Sequence, residues 1–136
     1  MIEGLSGQDL SGQDWSEMDL SNADLEGVNF NGAILREANL REANLERADL
    51  RNANLYRADL SESDLSEANL REVNLYRADL SESDLSEADL SGAILTSAWF
   101  RDANLENAGL LGATYNSKTI LPFSDEEAKR RGMIKK

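Results

Sequence analysis

Apolar side chains recur along this chain at every fifth position. Leu5, Leu10, Trp15, Leu20, Leu25 and Phe30 open the series, leucine holds every fifth position from Leu35 through Leu95, and Phe100, Leu105, Leu110 and Tyr115 complete it. Two positions before almost every centre sits a small residue, as in Ala23, Val28, Ala38, Ser63 and Ala113, and Asp or Asn stands between, as in Asp24, Asn39 and Asp49. An α-helix cannot use this pattern, because five residues run about 140° past a full turn and would scatter the leucines around the axis. A straight strand fails too, because five is odd and successive leucines would alternate faces. Within a unit, however, the small residue and the Leu face one way and Asp/Asn the other. The chain must therefore bend after each three-residue strand, with the two variable residues in the bend. Four bends of about 90° close a square coil, so one storey takes twenty residues. The stretch LYRADLSESDLSEA, at Leu55–Ala68 and again at Leu75–Ala88, is then one stretch repeated a storey higher. Ile34 and Ile94, where Ile replaces Asp/Asn, stand three storeys apart.

From Leu5 to Tyr115 the chain resembles the pentapeptide repeat proteins, which implies an all-β fold, a right-handed quadrilateral parallel β-helix of about five to six coils. Leucine-rich repeats have a longer period with unequal Leu spacing and do not fit. Residues 1–120 are read as the repeat domain and 121–136 as a C-terminal cap segment. In the latter, Pro122 ends the extended path, and Ser124 with Glu127 forms a capping box. Asp125 and Glu126 suit a helix start, Lys129, Arg130 and Arg131 its end, and Gly132 a stop. These signals predict a short helix at Asp125–Arg131 over the last coil, contacting Ile120, Leu121, Phe123, Met133 and Ile134. At the other end Gln8, Gln13 and Met18 replace the small residue and Gly4, Gly7 and Gly12 loosen the bends, so a less regular first coil is expected.

The 136 residues carry 26 acidic against 14 basic side chains, a net charge of −12, with no Cys and no His. Disulfides, thiolate metal sites, Cys nucleophiles and His bases are thereby excluded. The acidity argues against nucleic acid as a direct ligand, since phosphate binding needs a basic surface. No apolar run approaches membrane-spanning length, and the first ten residues do not read as a signal peptide. A cytoplasmic location and no membrane contact are the expectations.

Assigned to faces, the charge is uneven. The face centred on Leu25, Leu45, Leu65, Leu85 and Leu105 shows Asp24, Glu26, Glu46, Asp64, Glu67, Asp84, Glu87 and Glu106 against Arg47, net −7. The face of Leu20, Leu40, Leu60, Leu80 and Phe100 is net −5 and that of Leu10, Phe30, Leu50, Leu70 and Leu90 net −2. The fourth, centred on Trp15, Leu35, Leu55, Leu75 and Leu95, is neutral. It stacks Tyr56 on Tyr76 and Arg57 on Arg77, with Ile34 and Ile94 outward. This is the candidate interaction face, because Tyr and Arg dominate binding hot spots. The alternative is that the duplicated segment copied a favourable cross-strand pair. Trp99 also occupies an outward position, and packing beneath the C-terminal segment is expected of it.

The stacked carboxylates recur with the repeat and converge nowhere, so they read as solvated faces rather than a metal site. Acid–base catalysis would need a cleft, and Ser61, Ser66, Ser81 and Ser86 read as bend residues. The expectations are no enzyme, no catalytic residue, no metal and no cofactor. The chain reads as a scaffold or interaction module for a protein, as a monomer or a homodimer through an end coil. The resemblance implies an alternative: some members of that family mimic B-form DNA and bind DNA gyrase or topoisomerase IV, which confers fluoroquinolone resistance.

Overall fold

The computed structural model describes residues 2–136; Met1, with which the expected repeat segment begins, lies outside them. The chain forms the expected right-handed parallel square coil. Each side of the square contributes a single bridging residue rather than a long strand. Bridges such as Asp24↔Asn44, Asn44↔Asp64 and Asp64↔Asp84 run straight up the faces. The leucines and their small partners fill the interior. Leu20 through Leu95, Phe30 and Phe100 are without exposure, and Ala23 to Ala98 nearly so. Burying one Leu contributes about 2 kcal/mol, less than ordering a whole coil costs; the stack folds because every coil also covers its neighbours. Ser63 and Ser83 fit the small position because each hydroxyl donates to a carbonyl three residues back, Leu60 and Leu80, at 2.6 Å.

From Leu5 to Ala113 each corner is a β-turn closed by the amide three residues after a centre on that centre's carbonyl, as Ala43 N–H to Leu40 O at 3.1 Å. The second bend residue is left-handed, φ +57° at Glu37 and +59° at Glu42, while the first is not. That combination defines a type II turn. Type II turns favour Gly at the left-handed position, yet most corners here carry Glu, Arg or Asn. The Asp/Asn of each unit supplies the compensation. Its Oδ1 accepts the amide of the first bend residue, as Asn39 from Arg41 at 3.0 Å and Asp64 from Ser66 at 2.9 Å. The corner itself needs only this one oxygen, which Asp and Asn both supply.

The first coil is regular, contrary to the expectation. Asp9, Asp14 and Asp19 bridge to Asn29, Ile34 and Asn39 in register, and Gly7, Gly12 and Glu17 hold the same left-handed corners. Gln8, Gln13 and Met18 are exposed there. Larger side chains fit the small position here because they lie exposed instead of inside the packed core.

At the other end, Thr114–Tyr115 form β1, Asp125–Arg130 form α1, and Ile134–Lys135 form β2, which pairs in parallel with β1. Before α1 the rhythm breaks by one residue: Ile94 bridges to Thr114, but Trp99 bridges to Ile120. The extra residue lies in Asn116–Thr119, where side chains replace the ladder. The Ser97 amide donates to Asn116 Oδ1 at 2.9 Å and to Thr119 Oγ1 at 3.1 Å. Ser124 caps α1 by accepting from Glu127 N, but Glu127 turns to Arg130 instead of completing a capping box. Gly132 closes a Schellman motif: its amide bonds Lys129 O and that of Met133 bonds Ala128 O, both at 3.0 Å. Its φ of +85° and the 3.2 Å that a Cβ would leave to the Leu111 Cα favour glycine. Ala128 and Met133 are the buried cap contacts, with Leu121 and Phe123 half-buried. Ile134, expected among them, is exposed because β2 turns it outward. Arg131 spreads its guanidinium over the open end and donates to the carbonyls of Leu105, at 2.6 Å, and Ala108, at 3.2 Å.

Candidate functional site

The turn chemistry changes how the outer faces read. Where Asp or Asn occupies the bridge position, its side chain is engaged in shaping a corner. On the three columns of the first coil, hydrogen bonds from Ser11, Ser16 and Ser21 hold the carboxyls of Asp9, Asp14 and Asp19 below the usual carboxylate range. The acidic face carries its charge with only local relief. Arg47 reaches Glu26 at 2.8 Å, Glu46 at 3.0 Å and Glu67 at 3.8 Å. Asp64 and Asp84 bridge in the ladder, and above Glu67 no ion pair touches Asp84, Glu87 or Glu106 among the described residues. No group of three or more acidic side chains among the described residues is placed to hold a metal ion, and no helix there is long and apolar enough to cross a membrane.

The neutral face is organised differently. The Tyr56 and Tyr76 rings stack with centroids 5.7 Å apart and planes inclined by 29°. Arg77 lies over Tyr76 at 5.3 Å, while Tyr56 is approached by Arg57 at 6.0 Å and by Arg36 at 5.0 Å. Arg36 was not singled out by sequence; it belongs because it stands one coil below Tyr56 in the same column. These five side chains form one aromatic–cationic cluster. Ile34 and Ile94 do not join it directly. They flank it in the bridging column, separated by Asn54 and Asn74.

Both isoleucines are exposed, 37% and 42%, and Trp99, across the corner, is 51% exposed. The expectation that the C-terminal segment covers Trp99 is therefore wrong. The one-residue insertion carries the chain past it to pair backbone to backbone at Ile120, leaving the indole outside. At these positions, as at Gly109, the chain gives up the oxygen that accepts the first bend amide wherever Asp or Asn stands: the amides of Arg36, Thr96 and Arg101 have no such acceptor. An apolar group in water replaces a turn-forming one. Stability does not favour that exchange, and it occurs three times on or beside a single face. A larger hollow, about 590 Å³, lies at the cap between Leu105, Phe123 and Arg131, but its guanidinium is committed to closing the coil.

Comparison with known proteins places these features. Among solved structures, a pentapeptide repeat protein, Rfr23, from the cyanobacterium Cyanothece 51142 superimposes with a TM-score of 0.80 at 27% identity, covering 82% of this chain and 90% of that one. HetL from Nostoc sp. strain PCC 7120, involved in heterocyst differentiation regulation, gives 0.63 at 32% identity over 85% of this chain and 59% of its own. QnrB1, a plasmid-mediated fluoroquinolone resistance protein, shares the fold at 16% identity with a TM-score of 0.58, covering 98% of this chain and 86% of that one. A search of curated proteins finds no match. The sequence matches the family described as pentapeptide repeats, in eight copies, over residues 5–41, 33–71 and 68–107. With that match over most of its length, and with the coils up to Ala113 built from the same five-residue turn, the chain belongs to the pentapeptide repeat family.

Proposed function

We propose that this chain is a non-enzymatic interaction module whose partner is a protein docking on the Tyr/Arg/Ile face. The observation that carries the reading is the exchange at Ile34 and Ile94, where a turn acceptor is replaced by an exposed apolar side chain beside stacked tyrosines. Tyr and Arg supply large, partly rigid contact area, and the face lacks the net charge of its neighbours. The relative at 32% identity, involved in regulating heterocyst differentiation, supports a role in regulation through binding.

The test separates function from stability. Ile34→Asn and Ile94→Asn restore the missing acceptors and are expected to raise stability by about 0.5–1.5 kcal/mol each, while weakening partner capture or self-association. Tyr56→Ser with Tyr76→Ser should weaken association too, at a cost near 1 kcal/mol for the lost ring pair. Sedimentation and pull-downs with wild type and variants, using Leu55→Ala as core control, read both effects. If only the core variant changes association, the strip is sheet decoration.

A second reading, DNA mimicry toward a type II topoisomerase, draws on Asp59, Glu62, Asp79 and Glu82 beside Asp64, Glu67, Asp84 and Glu87 on adjoining faces. These rise at the ladder spacing of about 4.8 Å per coil. The QnrB1 likeness shows the fold alone and lends no weight. A DNA gyrase supercoiling assay decides it: inhibition by the purified chain supports mimicry, and unaffected supercoiling in protein excess removes it.

A further inference from the structure

Beside the neutral face, where its corner meets Trp99, the surface departs most from the rest of the molecule. A notch of about 300 Å³ is lined by Arg57, Arg77, Ser97, Trp99 and Lys118. Arg57 and Arg77 occupy successive corners of one column, and Ser97 the next. Lys118 stands on the insertion that shifts the ladder by one residue. No carboxylate lines the notch, in a chain with 26 of them. The other arginines of the coils are largely occupied: Arg41 pairs with Glu62, Arg47 with Glu26, Arg51 with Asp49 and Arg71 with Asp89. Arg57, Arg77 and Lys118 make no ion pair among the described residues. Three cations without a carboxylate partner, two of them lying over tyrosine rings, thus share one concavity with an exposed indole.

We infer that this notch takes an acidic peptide segment of a partner, its carboxylates on Arg57, Arg77 and Lys118 and an apolar side chain against Trp99. The inference rests on the proposed reading of the neutral face as a docking surface and names the chemistry of what docks. Charge complementarity supplies the attraction, and the geometry limits its extent. Two to three rungs at about 4.8 Å each span roughly 10–14 Å, room for a few carboxylates. Immediately across Trp99 the column descends to Asp79, which with Ser81, Arg101 and Ile120 lines the next hollow. A long polyanion such as a nucleic acid would run onto the net −5 face within about one Debye length, 8 Å in physiological salt. A short acidic stretch with an aromatic residue would stop before it. The guanidinium planes over the tyrosines are also suited to carboxylates, which they meet with paired donors.

Fluorescently labelled Glu-Glu-Phe-Glu-Glu, its Gln-for-Glu counterpart and a single-stranded DNA oligonucleotide are titrated with the full chain at low and physiological salt. The expected result is saturable binding of the Glu peptide, weakened by salt, with the Gln peptide weaker by about tenfold or more. Arg57→Gln with Arg77→Gln and Lys118→Gln should weaken it by at least about tenfold, and Trp99→Ser several-fold. All these side chains lie on the surface, and unchanged thermal melts verify the fold. Absence of saturable binding, equal binding by the triple variant, or binding of the oligonucleotide as tight as that of the Glu peptide overturns the inference. Tyr56→Ser/Tyr76→Ser is carried through the same titration and through partner capture. If capture depends on the tyrosines while the Glu peptide does not bind, the notch fails and the docking face stands. If the Glu peptide binds as expected while capture ignores the tyrosines, the docking face fails and the notch stands.

Discussion

Leu65→Ala is expected to destabilise the fold by about 2–5 kcal/mol, a larger effect than any exposed substitution considered above. Leu65 is fully buried and lies mid-rod, where coils above and below prevent the cavity from collapsing. Its amide donates to Asp84 O at 2.7 Å and its carbonyl accepts from Ala68 N at 3.0 Å, so the backbone is held on both sides. At roughly 4 °C per kcal/mol for a domain of this size, the thermal midpoint should fall by about 8–20 °C. The companion change, Ala48→Leu, should cost about 1–3 kcal/mol by overpacking a corner that admits only a small side chain. A midpoint unchanged by Leu65→Ala would mean that the five-residue leucines do not form the core.

Deleting Phe123–Lys136 should convert the chain into an associating species. The deletion removes α1 and β2 and strips three kinds of cover from the last coil. β1 loses its partner, so the Ala113 and Tyr115 carbonyls lose the amides of Ile134 and Lys136, at 2.9 and 2.7 Å. The Leu105 and Ala108 carbonyls lose Arg131. The core cluster loses the buried Ala128 and Met133, the latter beside Tyr115. A strand edge with an apolar interior is the template on which other chains pair. Sedimentation velocity should show dimers and larger species that rise with concentration. A truncated chain as monodisperse and as stable as the parent would reduce the segment to a tail.

The square coil was legible in the sequence because its cause is periodic. One odd-numbered spacing excludes helix and straight strand together, and the twenty-residue copy supplies the number of sides. The acidic columns and the Tyr56–Tyr76 stack followed from the same arithmetic. What periodicity cannot carry is any interaction that bends back within a unit. Asp and Asn read as outward polar positions, yet Oδ1 of Asn39, Asp64 and their equivalents shapes each corner. Recognising that role is what gives Ile34, Ile94 and Trp99 their significance. The cap was partly readable, since Ser124 and Gly132 act locally. The insertion at Asn116–Thr119 was not, because its effect on Trp99 depends on which backbone the chain meets afterwards. The first coil misled for a related reason: Gln8, Gln13 and Met18 break the side-chain pattern, but the backbone bridges and corners that hold the register do not depend on them.

The central claim is that residues twenty apart stand directly above one another, since the core, the charged columns, the docking face and the notch all depend on it. The chain contains no cysteine, so introduced pairs report cleanly. Asp64 and Asp84 are bridge partners, which puts their Cα atoms about 4.8 Å apart, inside the roughly 4.4–6.8 Å that a disulfide spans. Asp64→Cys with Asp84→Cys should therefore oxidise rapidly within the monomer. Asp64→Cys with Asp79→Cys, closer in sequence but on the next side of the square, should remain reduced under the same conditions. Equal oxidation of both pairs, or of the second alone, would contradict the square coil and everything placed on it.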